Sequence, residues 1–278
     1  MTPKGIHIAK AELPATSMII CSRNRPRLLL ESVESVLAGD QVPAELLIMD
    51  QSDEPHPVLA NFAAERGCDV RYVRTDVVGE CPAKNLAMRM ARYEILVFTD
   101  DDVLVTPGWL GALVGALAAG GRRAVVTGQV LPTEAETPGG FAPTKKVDLN
   151  PAVYQGRVGE DVLFPMNMAM YRSALEEVGD FDERLGAGGP FLGAEDNDLG
   201  FRLLEAGYRI CYVPEATLYH HAWRTADDYL PLRWSYGRGQ GAYYAKHLSL
   251  RDRYMLWRMA GSLRSHMVQS IWLARRQR

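Results

Sequence analysis

Short apolar runs alternate with helical stretches through the first hundred residues, and that rhythm constrains the fold more than any other feature. Ser17–Cys21, Glu45–Met49, Val70–Val73 and Ile95–Phe98 read as strands. Between them the pattern predicts a helix from Pro26 carrying Leu28, Leu29, Val33, Val36 and Leu37, a second near Val58–Arg66 and a third over Ala83–Arg92. Proline suits a first helical turn because its missing N–H would have no partner there. Strand–helix alternation implies a parallel sheet with helices on both faces, and such sheets bind ligands beyond the carboxyl ends of their strands. Cys21-Ser22-Arg23-Asn24, Asp50-Gln51-Ser52 and Asp100-Asp101-Asp102 all fall at those ends. Polar groups from three strands are therefore expected in one crevice.

The acidic triplet carries the most chemistry. Three successive carboxylates after a buried-looking strand repel one another unless a cation sits among them. Hard oxygen ligands suit magnesium or manganese, and such a metal can bridge a nucleotide's phosphates. A solvated acidic turn leading into a helix near Pro107 is the plainer reading.

Composition narrows the classes. The 278 residues suffice for a large core, and 47% hydrophobic with 23% charged residues is ordinary for a globular protein. A net charge of -3 gives no reason to expect nucleic acid as a partner. The four cysteines lack any CxxC pairing, which argues against a zinc site or a disulfide framework and fits a reducing cytoplasm. Met1 to Ala15 does not read as a signal peptide, and no apolar run approaches the roughly 20 residues that span a bilayer.

The second half is less regular. Ala124–Val130, Phe164–Met170 and Tyr208–Val213 read as strands, Arg172–Val178 and Glu195–Leu204 as helices, and the chain from about Asp227 as helical to its end. A glycine-rich loop, Leu185–Gly193, runs into Glu195-Asp196. An acidic helix start complements the helix dipole, so a capping role competes with a chemical one there.

At this point the chain resembles the family 2 glycosyltransferases, which have the GT-A fold. Ser17 to Pro26 looks like the opening strand and donor loop, Ile48 to Ser52 like the second nucleotide loop, and Gly79 with Ala83-Lys84-Asn85 like the segment before the metal strand. Phe98-Thr-Asp-Asp-Asp-Val103 with Pro107 and Trp109 resembles the DXD motif. Asn167, Arg172, Val178-Gly179, Phe181-Asp182-Glu183, Gly193 to Asp196, Pro214-Glu-Ala216 and His220-His221 complete the series.

The resemblance implies a Rossmann-like, mostly parallel central sheet flanked by helices, with a helical C-terminal extension. Residues 1–110 would form the donor-binding half, 111–225 the acceptor-binding and catalytic half, and 226–278 the extension. It implies a metal-dependent, inverting transfer of a sugar from a nucleotide-diphosphate donor to an acceptor hydroxyl. A divalent ion, Mn2+ or Mg2+, would be held by Asp102, Asp100 and His220, with His220 preferred to His221. Cys21, Arg23, Arg25, Asp50, Gln51, Lys84, Asn85, Asp100 and Asp101 would bind the donor, with Asp101 on the ribose. Asp196 would be the general base with Glu195 beside it, and Asn167, Gly193, Glu195 and Trp223 would face the acceptor. Cys21, Arg23 and Gln51 depart from the common family pattern, leaving the nucleotide base open.

Two other classes share parts of this pattern. A sugar-1-phosphate nucleotidylyltransferase also joins metal carboxylates to an α/β domain, but its first loop would normally be glycine-rich, and Ser22–Pro26 has no glycine. A non-catalytic nucleotide-sugar or carbohydrate-binding protein would not need Asp102, Asp196 and His220 together. The C-terminal stripe Leu256, Ala260, Leu263, Met267 and Ile271, with Trp257, Trp272 and seven arginines around it, would pack on the body or a second subunit, or attach peripherally to the anionic inner face of a membrane.

Overall fold

The computed structural model describes residues 13–62, 67–135, 138, 140–249 and 252–264. Its centre is one nine-stranded sheet. Strands β1 (Thr16–Ser22), β2 (Glu45–Asp50), β3 (Asp69–Arg74) and β4 (Ile95–Asp100) are parallel, in the order β3-β2-β1-β4. Beyond β4 the sheet is mixed rather than parallel. It continues through β8 (Asn167–Tyr171), β6 (Ala124–Pro132), β9 (Arg209–His220) and β5 (Val103–Val105), with β7 (Ala152–Gln155) on β9. Strand β8 runs antiparallel to both β4 and β6, whereas β6 and β9 are parallel.

Successive side chains along a strand face opposite ways, so each strand feeds two cores. Met18, Ile20, Leu46 and Ile48 pack with helices α1 (Pro26–Leu37) and α3 (Trp109–Gly120) on one face. Ile19, Leu47, Met49 and Phe98 pack with α2 (Glu80–Met90), α4 (Arg172–Val178) and α5 (Glu195–Glu205) on the other. Burial on both faces explains why β2 reads as a continuous apolar run.

Several expectations need correction. The helix near Val58–Arg66 is a single 3-10 turn, Leu59–Asn61, and residues 63–66 lie outside the described residues. Strand β9 runs seven residues beyond Val213, through a proline, because β6 shifts register against it after Gly128 and absorbs Pro214–Ala216 as a bulge. The C-terminal helix is broken: α6 (Ala226–His247) stops, and a second helical stretch runs from 254 to 264. On that stretch Leu256, Ala260 and Leu263 are exposed, and Met255, Arg258 and Met259 make the inward face. Met267, Ile271, Trp272, Arg275, Arg276 and Arg278 lie outside the described residues. Among the described residues no helix is long and apolar enough to cross a membrane.

Candidate active site

The carboxyl ends of β1 and β4 form the floor of the crevice. Parallel pairing sets Cys21 beside Asp100, and the chain then turns through Asp101 and Asp102 into β5. Strand β5 pairs antiparallel with the end of β9, opposing Val103 to His220. That register brings His220 Nε2 to 3.3 Å from Asp102 Oδ1, while the Asp102 carbonyl accepts the His221 N–H at 2.9 Å. The β9 bulge therefore decides where the histidine lands.

Cations and hydroxyls compensate the three aspartates unequally. Asp101 accepts a hydrogen bond from Ser22 at 2.6 Å and another from Arg25 at 3.1 Å. The same Arg25 nitrogen donates to Asp102 at 2.9 Å. Burial alone would raise the Asp102 carboxyl, but the His220 hydrogen bond and the charges of His220, Arg25 and Arg224 outweigh it and hold it below the ordinary value. Burial and the neighbouring Asp102 charge push Asp101 up to about 6 despite Ser22 and Arg25. Burial pushes Asp100 up to about 7, against the pull of Lys84.

Across the crevice stands the start of α5. Ala194, its N-cap, adopts a left-handed conformation (φ 67°), unusual for a residue with a side chain. The turn delivers Glu195 and Asp196 into the helix's first turn. Burial, with Asp161 adding to it, pushes Asp196 up to about 7. Burial and the charges of Glu80 and Asp196 push Glu195 well above the usual carboxylate range, and its buried Oε2 has no hydrogen-bond partner. Helix α6 braces this turn: Gln240 accepts from the Asn197 amide at 2.7 Å, and the Tyr236 ring covers Gly193 so closely that a Cβ there would lie 2.9 Å from it.

One hollow is bordered by Asp100, Asp101, Asp102 and His220 from the strand ends and by Glu195 and Asp196 from the start of α5, with Gly193 also on its border. A second hollow adjoins it, bordered by Cys21, Arg23, Gln51 and the Ala187-Gly188 loop, and both are bordered by Arg25, Glu80, Asp100 and Asp101. Burial pushes the Cys21 thiol far up, so it meets the crevice as a neutral thiol.

Other predicted residues are engaged with the scaffold. Lys84 is fully buried beneath the floor, ion-paired to Glu80 and 3.7 Å from Asp100, so it supports the crevice from below. Both ends of the Asn85 amide are spent on the 181–183 segment, through Phe181 N, Phe181 O and Glu183. Asn167 is fully buried; it accepts from the Trp109 indole and donates to the Gln129 and Ala216 carbonyls that the β9 bulge frees. Trp223 donates its indole N–H to Thr133, and it is the flanking Ala222 and Arg224 that border the hollow. Asp50 is buried behind the donor loop, held by Ser52 and Tyr72, and opens on a separate hollow with Asn24 and His56. Gln51 borders the crevice but spends its carbonyl on the Gly79 N–H at 2.8 Å.

Sequence reasoning placed Ser22 at the crevice without giving it a role, and missed Glu80, Arg224, Tyr236 and Gln240. Ser22 and Glu80 had a readable signal, one closing a strand and the other opening a helix after Gly79. Tyr236 and Gln240 had none, because long-range packing alone brings α6 to the crevice.

Among the described residues, no three Asp, Glu, His or Cys side chains meet as a ready metal-ligand set. The donor chemistry nevertheless fits a divalent ion. Asp102 and His220 already touch, the buried His220 Nδ1 has no partner, and two more carboxylates stand on the same turn. Arg25 occupies the position between those carboxylates.

With this geometry in view, comparison with known proteins gives a consistent answer. The model of "Glycosyl transferase family 2" matches residues 17–179. The chain is 28% identical over 201 residues to the pre-mycofactocin glycosyltransferase of Mycobacterium tuberculosis, covering 69% of this chain and 40% of that one. It is 26% identical over 229 residues to the glucosyl-dolichyl phosphate glucuronosyltransferase of Haloferax volcanii, covering 78% and 73%. The mannosyltransferase PcManGT of Pyrobaculum calidifontis, solved with GDP-Man and Mn2+, superposes with a TM-score of 0.62 at 19% identity, covering 87% of this chain and 66% of that one. The architecture is that of the GT-A glycosyltransferases.

Proposed function

Because this chain belongs to glycosyl transferase family 2 and is a glycosyltransferase, we propose that it performs a metal-dependent, inverting transfer from a nucleotide-diphosphate sugar to an acceptor hydroxyl. The observation that carries the reading is the shared hollow: the strand-end aspartates and the helix-start carboxylates line the same one. Asp102, Asp100 and His220 would hold the metal, and the ion, when bound, would stabilise negative charge on the departing diphosphate. Arg25, beside those groups, is a second cation for the same phosphates. Asp196 takes the proton from the acceptor hydroxyl. With its carboxyl near 7, it is ionised in part at neutral pH and still basic enough to accept a proton. Attack by that hydroxyl on the face opposite the leaving diphosphate inverts the anomeric carbon.

The acceptor is proposed to be lipid-linked, as the name of the Haloferax glucosyl-dolichyl phosphate glucuronosyltransferase says of that protein. An exposed Leu256, Trp257 and Leu263 face, flanked by Arg253 and Arg264, supports docking on an anionic lipid surface. Vesicles containing anionic lipid should sediment the intact protein, and a Trp257→Ser, Leu263→Ser variant should stay in the supernatant. Equal sedimentation of both would remove the membrane reading, and a loss of dimer in the variant would assign the face to a second subunit.

The central test screens UDP-, GDP-, dTDP- and CDP-sugars for nucleotide release and for thermal shifts, with and without Mn2+. Asp102→Ala should abolish metal-dependent turnover. Asp196→Asn should keep the donor-induced shift and lose transfer; near-normal turnover in that variant would refute the base assignment.

A further inference from the structure

The placement of Arg25 has a consequence for how a metal enters. Its backbone is pinned, since Arg25 precedes Pro26 as the N-cap of α1 and its carbonyl accepts the Leu29 N–H at 3.0 Å. Only the side chain is free to rearrange, and that side chain is 48% exposed. Its guanidinium bridges Asp101 Oδ1 at 3.1 Å and Asp102 Oδ2 at 2.9 Å. The other Asp102 oxygen faces His220, so both oxygens of the central proposed ligand are engaged. A divalent ion arriving alone would have to displace a fixed positive charge and leave that charge beside itself.

A diphosphate changes the balance. Guanidinium binds phosphate oxygens through paired, charge-assisted hydrogen bonds, and Arg25 borders both hollows at the crevice. An incoming diphosphate therefore offers Arg25 another anion and vacates the carboxylates for the ion. We propose that Arg25 is an exchangeable cation that makes divalent-metal binding conditional on the nucleotide diphosphate. This rests on the metal-dependent reading above, and nothing in it requires that transfer itself be measured.

The test is Mn2+ binding to the full chain, followed by loss of the free-ion EPR signal, with and without UDP or GDP and corrected for the Mn2+–nucleotide complex in solution. In the native protein, nucleotide should tighten Mn2+ binding at least tenfold. In Arg25→Gln, nucleotide-free Mn2+ binding should tighten about tenfold and the nucleotide effect should shrink. Arg25→Lys, which keeps a charge but loses the fork, should lie between them, and matched melting curves would show that all three are folded. Unchanged or weakened nucleotide-free binding in Arg25→Gln would overturn the proposal. So would equal Mn2+ affinity with and without nucleotide in the native protein, although the glycosyltransferase reading would then stand. Absence of Mn2+ binding in every variant would overturn both this proposal and metal dependence.

Discussion

Both walls of the crevice are acidic, yet Asp102 on one is handled in the opposite way to Asp196 and Glu195 on the other, while burial pushes Asp100 and Asp101, beside Asp102, up as it does the helix pair. On the strand wall, Asp102 has Arg25 and His220 against it and is held ionised. On the helix wall, no cation among the described residues is hydrogen-bonded to Asp196 or Glu195, and burial pushes both toward the protonated form. A carboxylate kept charged by neighbours suits holding a cation. A carboxylate denied such neighbours suits taking up a proton. Only two residues further along α5, Asp198 reverts to the first pattern: fully buried, it accepts from Arg202 at 2.9 Å and from Lys246 and His247 at 2.7 Å. One helix thus carries the proposed proton acceptor and a structural anchor on nearly opposite faces.

The largest expected effect breaks this contrast at Asp196. Asp196→Asn should lower kcat by about 10²- to 10⁴-fold, the usual range for a positioned general base, with donor affinity nearly unchanged. Next comes Asp198→Ala, which leaves Arg202, Lys246 and His247 without their shared anion. We expect a loss of about 3 kcal/mol in unfolding free energy, measured by urea titration, since breaking a buried ion pair strands its partners. The loss should include the docking of α6, because Lys246 and His247 are its last turn.

The pH dependence sharpens the same comparison, and its two arms have opposite signs. Because the Asp196 carboxyl sits near 7 in the folded chain, kcat/KM should rise about tenfold per pH unit below roughly 6 and level off above about 7. Stability runs the other way. The folded state binds the Asp196 proton more tightly than the unfolded state does, so this group's contribution is full below about 4 and is lost as pH rises through about 7. Asp196→Asn should therefore melt higher than the native protein at pH 8, with the gap closing by pH 5. A native melting curve that improves from pH 5 to 8 relative to the variant would contradict the proton-acceptor wall.

The strand wall was the more legible of the two in the sequence, for a physical reason. Parallel strands put consecutive loops side by side, so Cys21, Gln51 and Asp100–Asp102 could be placed together from local pattern alone. Lys84, Asn85 and Asn167 look available in the sequence, whereas tertiary packing engages their side chains within the protein. The Asn167 amide answers a bulge between β6 and β9 that no local pattern announces. The C-terminal stripe was legible only in part: helical spacing marked an apolar face, but the aromatic cluster around Tyr243 chose Met255, Arg258 and Met259 to pack inward, and Leu256, Ala260 and Leu263 do not pack on the body.

The smallest effect concerns how each wall's helix begins. Helix α2 starts after Gly79 at φ 116°, and α5 starts after Ala194 at φ 67°; neither N-cap makes a side-chain hydrogen bond. Glycine reaches positive φ without penalty, whereas alanine there costs about 1–2 kcal/mol. Ala194→Gly would remove that strain but give the unfolded chain more freedom, worth roughly 0.5–1 kcal/mol. The net expectation is a gain of about 0.5 kcal/mol. Ala194 is also 8% exposed and packs with Tyr243 and Tyr244, so its methyl helps fix the turn against the C-terminal cluster. If that turn is what aims Asp196, the variant should melt slightly higher and turn over two- to threefold more slowly. Unchanged turnover with the higher melting point would show that Tyr236 and Gln240 alone hold the base in place.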